Sequence, residues 1–199
     1  KPSIYIYEIK QNNHIQTGIV AGASVEEYEN NQITKHELTR PDKEEDRTQH
    51  ILTVGAQTGP VFLTYHQQHG IKELIKSITK NEADIGFTAS DNIQHKLWIV
   101  TEDDTIHTLI EAFNSVPNLY VADGHHRSAA ASNVKNRIEE NNLENKYSNY
   151  HHFLAVIFPS DELNILDYNR VLKDLNQHSA SEILEKIKEN FLVSLPENN

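Results

Sequence analysis

The chain has 199 residues, of which 37% are hydrophobic and 24% are charged, and its formal net charge at pH 7 is -11. A chain of this length can form one domain with a hydrophobic core, and the composition is that of a globular protein. The acidic charge disfavours a nucleic-acid-binding protein, because contacts to a phosphate backbone require a basic face. The absence of cysteine excludes disulfides, thiolate catalysis and cysteine zinc sites.

The sequence contains no apolar run near the roughly 20 residues that a membrane span requires, and it shows no signal-peptide pattern. We therefore expect no membrane partner and a cytoplasmic location. The expected partner is a small anionic molecule held in one local pocket. The residues do not decide the oligomeric state.

Periodicity and turn residues locate the elements in the first half of the chain. Residues 3–10 alternate in the pattern of a strand, and the turn residues at 11–14 indicate a hairpin. Ser24 is placed to cap a short helix, with Glu27 at the capping-box position. In chain order, the predicted elements are strands over 3–10 and 15–22, a helix over 25–30, a helix beginning near Pro41, a strand over 59–65 and a helix over 71–80.

Strands and helices alternate in the second half. The helix predicted over 101–116 carries an apolar stripe, and the continuous apolar run at 153–159 predicts a central strand. In chain order, the predicted elements are a hairpin over 84–90 and 94–100, a helix over 101–116, a strand over 118–123, a helix after Gly124, strands over 153–159 and 162–169, a helix over 179–190 and a strand over 191–195. This pattern predicts an α/β or α+β fold, with helices packed on a mixed sheet, in a single domain over residues 1–199.

The segment "NLYVADGHHRSAAAS", residues 118–132, concentrates polar side chains between a buried strand and an alanine-rich helix. A glycine provides the sharp turn, and the first turn of the helix presents unpaired amides that attract anions. An arginine fork matches phosphate oxygens, and a histidine can donate a hydrogen bond or move a proton near neutral pH. We therefore predict a phosphate-binding turn. Its catalytic candidates are Asp123, His125 and His126, and its phosphate contacts are Gly124 and Arg127.

Three other interpretations of this turn stay open. Asp123 could cap the helix while the histidines cover a surface edge. The turn could serve a non-catalytic sensor of an anionic metabolite. It could also form the metal site of a hydrolase through Asp123, His125, His126 and His36, although adjacent histidines on a helix diverge. Neither a Walker loop nor a three-glycine dinucleotide motif is present.

The segment "KHELTRPDKEEDR", residues 35–47, is a second charged cluster. Charge runs are typical of a solvated, salt-bridged surface. A stiff Arg-Pro step and a mixture of acid, base and imidazole are also typical of a substrate-facing loop. The candidates here are Glu37 as a base or magnesium ligand, and His36 and Arg40 as ligand contacts. The neighbouring "TGPVF", residues 58–62, is interpreted as a plain turn before a strand.

Five blocks of this chain resemble sequence blocks of the bacterial domain of unknown function family 1015, and they follow the family's order. The blocks are "KHELTRPDKEEDR", "TGPVFLTY", "HKLWIV", "LYVADGHHRSAAA" and "DYNRVLKDLN". Members of that family usually carry longer N- and C-terminal regions. The resemblance therefore implies a fragment that lacks both regions, and it implies no established activity.

The box from Asp123 to Arg127 also resembles the short Gly-x-x-Arg box of ParB-like and sulfiredoxin-like proteins, which bind nucleotide phosphates at a helix N-terminus. This resemblance implies that Gly124, His125, His126 and Arg127 surround a phosphate. Sulfiredoxin chemistry uses a cysteine, which this chain lacks. The expected function is binding of a nucleotide or another phosphorylated small molecule and transfer or hydrolysis of a phosphoryl group. Magnesium is the cofactor expected to accompany a nucleotide.

Overall fold

A computed structural model describes residues 3–143, 149–166, 169 and 171–194 of the chain. Its elements fall into two compact units that divide between Leu163 and Asn164. The elements of the first unit are β1 (Ile4–Gln11), β2 (His14–Ser24), α1 (Val25–Glu29), β3 (Ile33–Thr34), α2 (Pro41–Val54), β4 (Val61–Tyr65), α3 (His69–Thr79), β5 (Ile85–Thr88), β6 (Gln94–Val100), α4 (Asp103–Asn114), β7 (Leu119–Asp123), α5 (His125–Glu140), β8 (His152–Pro159) and a 3-10 turn (Ser160–Glu162).

The strands form one eight-stranded sheet in the order β3-β7-β4-β8-β2-β1-β6-β5. Two pairs, β3 with β7 and β4 with β8, are parallel, and the other neighbours are antiparallel. Both predicted hairpins are present as β1-β2 and β5-β6, and the apolar strand β8 is central. The predicted fold class, a mixed sheet with helices packed on it, is therefore confirmed.

The hydrophobic core lies between the helices and one face of the sheet. Cross-strand partners such as Ile6, Ile19 and Ile157 share this face and are buried. Val25 of α1 and Leu109 of α4 pack into the same cluster. Because strand side chains alternate between faces, this burial fixes the register of the sheet.

Local signals set the helix starts as predicted. The Ser24 hydroxyl accepts a hydrogen bond from the Glu27 amide at 3.3 Å, and α2 begins at Pro41. In the second unit, α6 (Ala180–Lys188) begins with a capping box between Ser179 and Glu182. These side chains satisfy amides that a helix leaves unpaired at its first turn. None of the described helices is long and apolar enough to cross a bilayer.

Two predicted strands are wrong where the structure describes them. Residues 163–166 form no strand, and Ile165 and Leu166 are 99% and 83% exposed. Residues 191–194 form no strand either, and Leu192 is fully exposed. An apolar run becomes a strand only when a neighbouring strand pairs with its backbone, and neither described segment has such a neighbour. Residues 167, 168 and 195 of these predictions lie outside the described residues.

We predict that Gly18→Ala lowers the free energy of unfolding by about 1–3 kcal/mol through overpacking. A methyl group at Gly18 would lie 2.5 Å from the Ile157 carbonyl oxygen and 2.7 Å from the Phe158 ring. Urea unfolding measures the change.

The matched control is Gly70→Ala in α3, where a methyl group meets nothing within 4 Å. The free energy of unfolding of this variant is expected to rise by about 0.4–1 kcal/mol, because alanine has fewer conformations than glycine in the unfolded chain. Equal stabilities of the two variants would contradict the close approach of β8 to Gly18.

Candidate functional site

The turn between β7 and α5 consists of one residue, Gly124. Its φ of 99° and ψ of 28° lie in the left-handed region that glycine tolerates best. A Cβ at this position would also lie 2.9 Å from Nε of Arg127. The backbone conformation therefore favours glycine here, and any side chain would in addition displace the Arg127 guanidinium.

Small residues seat the first turns of α5 against the protein core. Ser128, Ala130 and Ala131 are essentially buried, as the alanine-rich segment predicted. The Ser128 hydroxyl donates a hydrogen bond to the His125 carbonyl oxygen at 3.1 Å. This packing fixes the position of the helix start, which a binding turn requires.

The N-terminus of α5 carries no side-chain cap and no acidic residue in its first turn. The interpretation of Asp123 as the helix cap is therefore wrong. The Asp123 carboxylate instead accepts a hydrogen bond from Nη2 of Arg127 at 2.5 Å. The partial positive charge of this helix end is left without a negative side chain from its own first turn.

Arg127 is held between two protein groups. In addition to Asp123, its Nη1 donates to the Pro60 carbonyl oxygen. The side chain is 35% exposed and lines a cleft. The structure thus makes Arg127 a brace between β7, α5 and the turn before β4, with part of its guanidinium facing the cleft.

The second charged cluster lies against this turn. The Arg40 amide donates to Nε2 of His126 at 3.1 Å, and Oε2 of Glu37 lies 3.4 Å from Nδ1 of His125. The His36 ring packs edge-on against the His125 ring with centroids 4.4 Å apart. The two segments that the sequence singled out therefore meet in space, although more than 80 residues separate Arg40 from His126.

His125 is buried and electrostatically unusual. It is 4% exposed, and its Nε2 has no hydrogen-bond partner. Burial lowers the pKa of His125 below the ordinary 6.5, the neighbouring His36 lowers it further, and the carboxylates of Glu37 and Asp123 oppose the shift. The neutral imidazole is thus the favoured form at neutral pH.

A backbone hydrogen bond holds the ring of His126. Its Nε2 accepts the Arg40 amide, so in the neutral ring the proton lies on Nδ1. His126 lines the cleft and is half-buried. The Arg40 backbone therefore orients this ring at the edge of the cleft.

These groups surround a cleft of about 650 Å³. Its lining combines four cationic side chains, Arg40, Lys43, Arg47 and Arg127, with two carboxylates, Glu37 and Asp123. The other lining residues are His50, Ile51, Gln57, Thr58, Gly59, Gly124, His125 and His126. The cleft is thus locally basic in a chain whose net charge is -11.

The basic residues of α2 form one stripe. Arg40, Lys43, Arg47 and His50 recur at intervals of three or four residues, which places them on one side of a helix. Sequence reasoning did not single out His50, although this spacing was a usable signal. It also interpreted residues 58–62 as a plain turn, whereas Thr58 and Gly59 line the cleft and Thr58 Oγ1 lies 3.2 Å from His50 Nε2.

The opposite side of α2 binds α5. The Asn133 amide donates to Glu44 at 3.3 Å, and Arg137 forms two hydrogen bonds with Glu45 at 3.2 and 2.5 Å. Together with the contact of Arg40 to His126, these contacts move towards the C-terminus of α5 as they move towards the C-terminus of α2. The two helices therefore run in the same direction. Their N-termini consequently lie side by side at the cleft.

A side-chain amide holds the loop that leads into β4. Gln57 donates from Nε2 to the His152 carbonyl oxygen at 3.2 Å and accepts the Leu154 amide at 2.7 Å. These bonds continue the pairing of β4 with β8 beyond the end of the strand. Gln57 therefore positions Thr58 and Gly59 along the cleft.

A family model described as "Protein of unknown function (DUF1015)" matches residues 1–199. The chain belongs to the DUF1015 family. Neither the curated proteins nor the solved structures that were searched gave a match. In this DUF1015 chain, the described residues contain no group of three or more His, Cys, Asp or Glu side chains arranged to hold a metal ion.

We predict that Gly124→Ala destabilises the fold by about 1–3 kcal/mol from backbone strain, with an added loss because Arg127 must move. Gly55→Ala is the matched control, since Gly55 has a φ of 72° and open space around the added methyl group. The free energy of unfolding of the control is expected to fall by about 1–2 kcal/mol, because alanine disfavours the left-handed backbone conformation. A smaller loss for Gly124→Ala than for the control, measured by urea unfolding, would show that the Arg127 contact does not constrain this glycine.

We predict a pH-dependent stability difference between the wild type and His125→Gln. Because the pKa of His125 is lowered in the fold, the unfolded chain takes up the proton first on acidification. The stabilising effect of neutral His125 is complete above pH 6.5 and is lost as the pH falls from 6.5 towards the folded-state pKa. Unfolding free energies of both proteins, measured on either side of that pH, should therefore converge on acidification. A difference that stays constant or widens would contradict the shift.

Proposed function

We propose that this cleft binds a nucleotide or another phosphorylated small molecule and transfers or hydrolyses a phosphoryl group. The observation that carries the proposal is the N-terminus of α5. It has no side-chain cap and no acidic first turn, and it opens on a cleft in which cations outnumber carboxylates. Such a helix end attracts phosphate through its free amides and its partial positive charge.

The parallel arrangement of α2 and α5 adds to this attraction. Each N-terminus carries about half a positive charge, so both attract an anion. The α2 end is already partly compensated, because the Asp42 carboxylate accepts hydrogen bonds from the backbone amides of Asp42 and Lys43. The α5 end has no acidic residue in its own first turn, so a bound phosphoryl group would compensate that end most directly.

The nearby side chains supply the parts of phosphoryl-transfer chemistry. The Nδ1–H group of His126 and the cationic side chains would stabilise charge on the phosphoryl oxygens. Glu37, 59% exposed and in contact with His125, is the carboxylate placed to accept the proton of an attacking hydroxyl or water. As the nucleophile oxygen bonds to phosphorus, the bond from phosphorus to the leaving oxygen breaks.

Magnesium would arrive with a nucleotide as part of the substrate. The oxygen donors of the cleft for it are Glu37 and Asp123, of which Asp123 already binds Arg127. The resemblance of the Gly124–Arg127 box to ParB-like and sulfiredoxin-like boxes supports phosphate as the ligand.

A non-catalytic sensor of an anionic metabolite is the second candidate. The hydrogen bond from Arg127 to Asp123 favours the sensor, because it leaves Glu37 as the one carboxylate lining the cleft that could act as a base. The two candidates share the ligand and differ in turnover.

We predict that Lys43→Gln weakens binding of ATP with magnesium by about tenfold or more, as expected for loss of one charged contact. Among the described residues, no carboxylate forms an ion pair with Lys43, so its removal leaves the fold intact. Lys76→Gln, which removes an equal charge from α3 outside the cleft, is the control and should bind as the wild type does. Calorimetric titration measures both, and equal binding by the two variants would place the nucleotide elsewhere.

Turnover is tested by phosphate release from a nucleotide panel. At saturating nucleotide, Glu37→Gln is expected to release phosphate about 100-fold more slowly than the wild type, because it removes a general base. Binding without release by the wild type would favour the sensor. Unchanged release by the variant would remove Glu37 from the reaction.

A further inference from the structure

The basic stripe of α2 is longer than a single phosphoryl group requires. Its first and last members, Arg40 and His50, are ten residues apart, which is about 15 Å along a helix axis. The cleft volume of about 650 Å³ lies within the range of about 300–1,000 Å³ that whole small ligands occupy. The N-terminus of α5 lies beside the Arg40 end of this stripe, where the Arg40 amide binds His126.

The members of the stripe differ in how far the protein already neutralises them. Arg40 forms two hydrogen bonds with Asp42, at 3.2 and 2.8 Å. Arg47 has only a long contact of 3.8 Å with the neighbouring Asp46, and Lys43 has no ion pair among the described residues. Two cations of the stripe, Lys43 and Arg47, therefore have no close carboxylate partner among the described residues and can pair with an anionic ligand.

Two separate anion positions follow from this layout. The first is at the start of α5, where the amides of the helix end lie beside His126 and beside buried His125, whose Nε2 has no hydrogen-bond partner. The second is farther along α2, where Arg47 and the hydrogen-bonded pair of His50 and Thr58 line the cleft. The first lies on α5 and the second mainly on α2, and contacts between these helices hold the two positions relative to each other.

Given the proposed phosphate-binding function, we infer that the ligand of this cleft carries two linked anionic groups, as in a diphosphate. One group binds at the start of α5, and the other binds at Arg47 and His50. A diphosphate can contact the start of α5 and the exposed cation Arg47 at the same time, which a single phosphate cannot do.

Calorimetric titration with inorganic phosphate and with pyrophosphate tests this inference. Pyrophosphate should bind at least about tenfold more tightly, because it adds a charged contact. Arg47→Gln should remove most of this preference while leaving phosphate binding within about twofold of the wild type. Arg47 is 54% exposed, so the substitution is expected to leave the fold intact, and circular dichroism of the variant checks this. Lys76→Gln is again the matched control, and it should keep the full preference.

The outcomes separate this inference from the proposed function. If neither phosphate nor pyrophosphate binds, the phosphate-binding function itself fails, and the inference fails with it. If both bind with equal affinity, the function stands and the second anion position is wrong. If pyrophosphate is preferred but Arg47→Gln keeps the preference, the second group does not bind at Arg47 and the inference is overturned.

Discussion

The parallel contact between α2 and α5 is the constraint on which the cleft depends. Glu44 and Glu45 on one side of α2 bind Asn133 and Arg137 of α5, and this turns the basic side of α2 towards the cleft. The same contact sets the two helix starts beside each other. Lys135 and Ser132 bind Glu29 at 2.9 and 2.8 Å, which ties α5 to α1 as well. These polar pairs therefore help to decide which charges of α2 face the cleft.

Much of the fold and part of the site could be predicted from the sequence. Alternation and turn residues located the hairpins, and a glycine located the turn before α5 that lines the cleft, because these signals are local. The meeting of Glu37 and Arg40 with that turn depends on contacts between distant segments, which one sequence does not encode visibly. For the same reason the engagement of Arg127 by Asp123 and Pro60 was not foreseen.

The failed strand predictions have a related cause. The apolar residues near Ile165 and Leu192 resemble strand residues in composition, but strand formation depends on a partner that composition does not specify. The basic stripe of α2 shows the reverse case. Its spacing was present in the sequence, yet a charged helix side is usually solvated, and only the structure shows a cleft beneath this one.

The contrast between a basic cleft and an acidic chain affects how an anion approaches the protein. At a distance the molecule acts as a net charge of -11 and repels anions, whereas inside the cleft the nearest charges attract them. At physiological ionic strength the Debye length is about 8 Å, so dissolved ions weaken the distant repulsion more than the close attraction. Association of an anion should therefore accelerate as salt is first added and slow only at higher concentrations. This order is the opposite of that in proteins whose overall charge attracts the ligand.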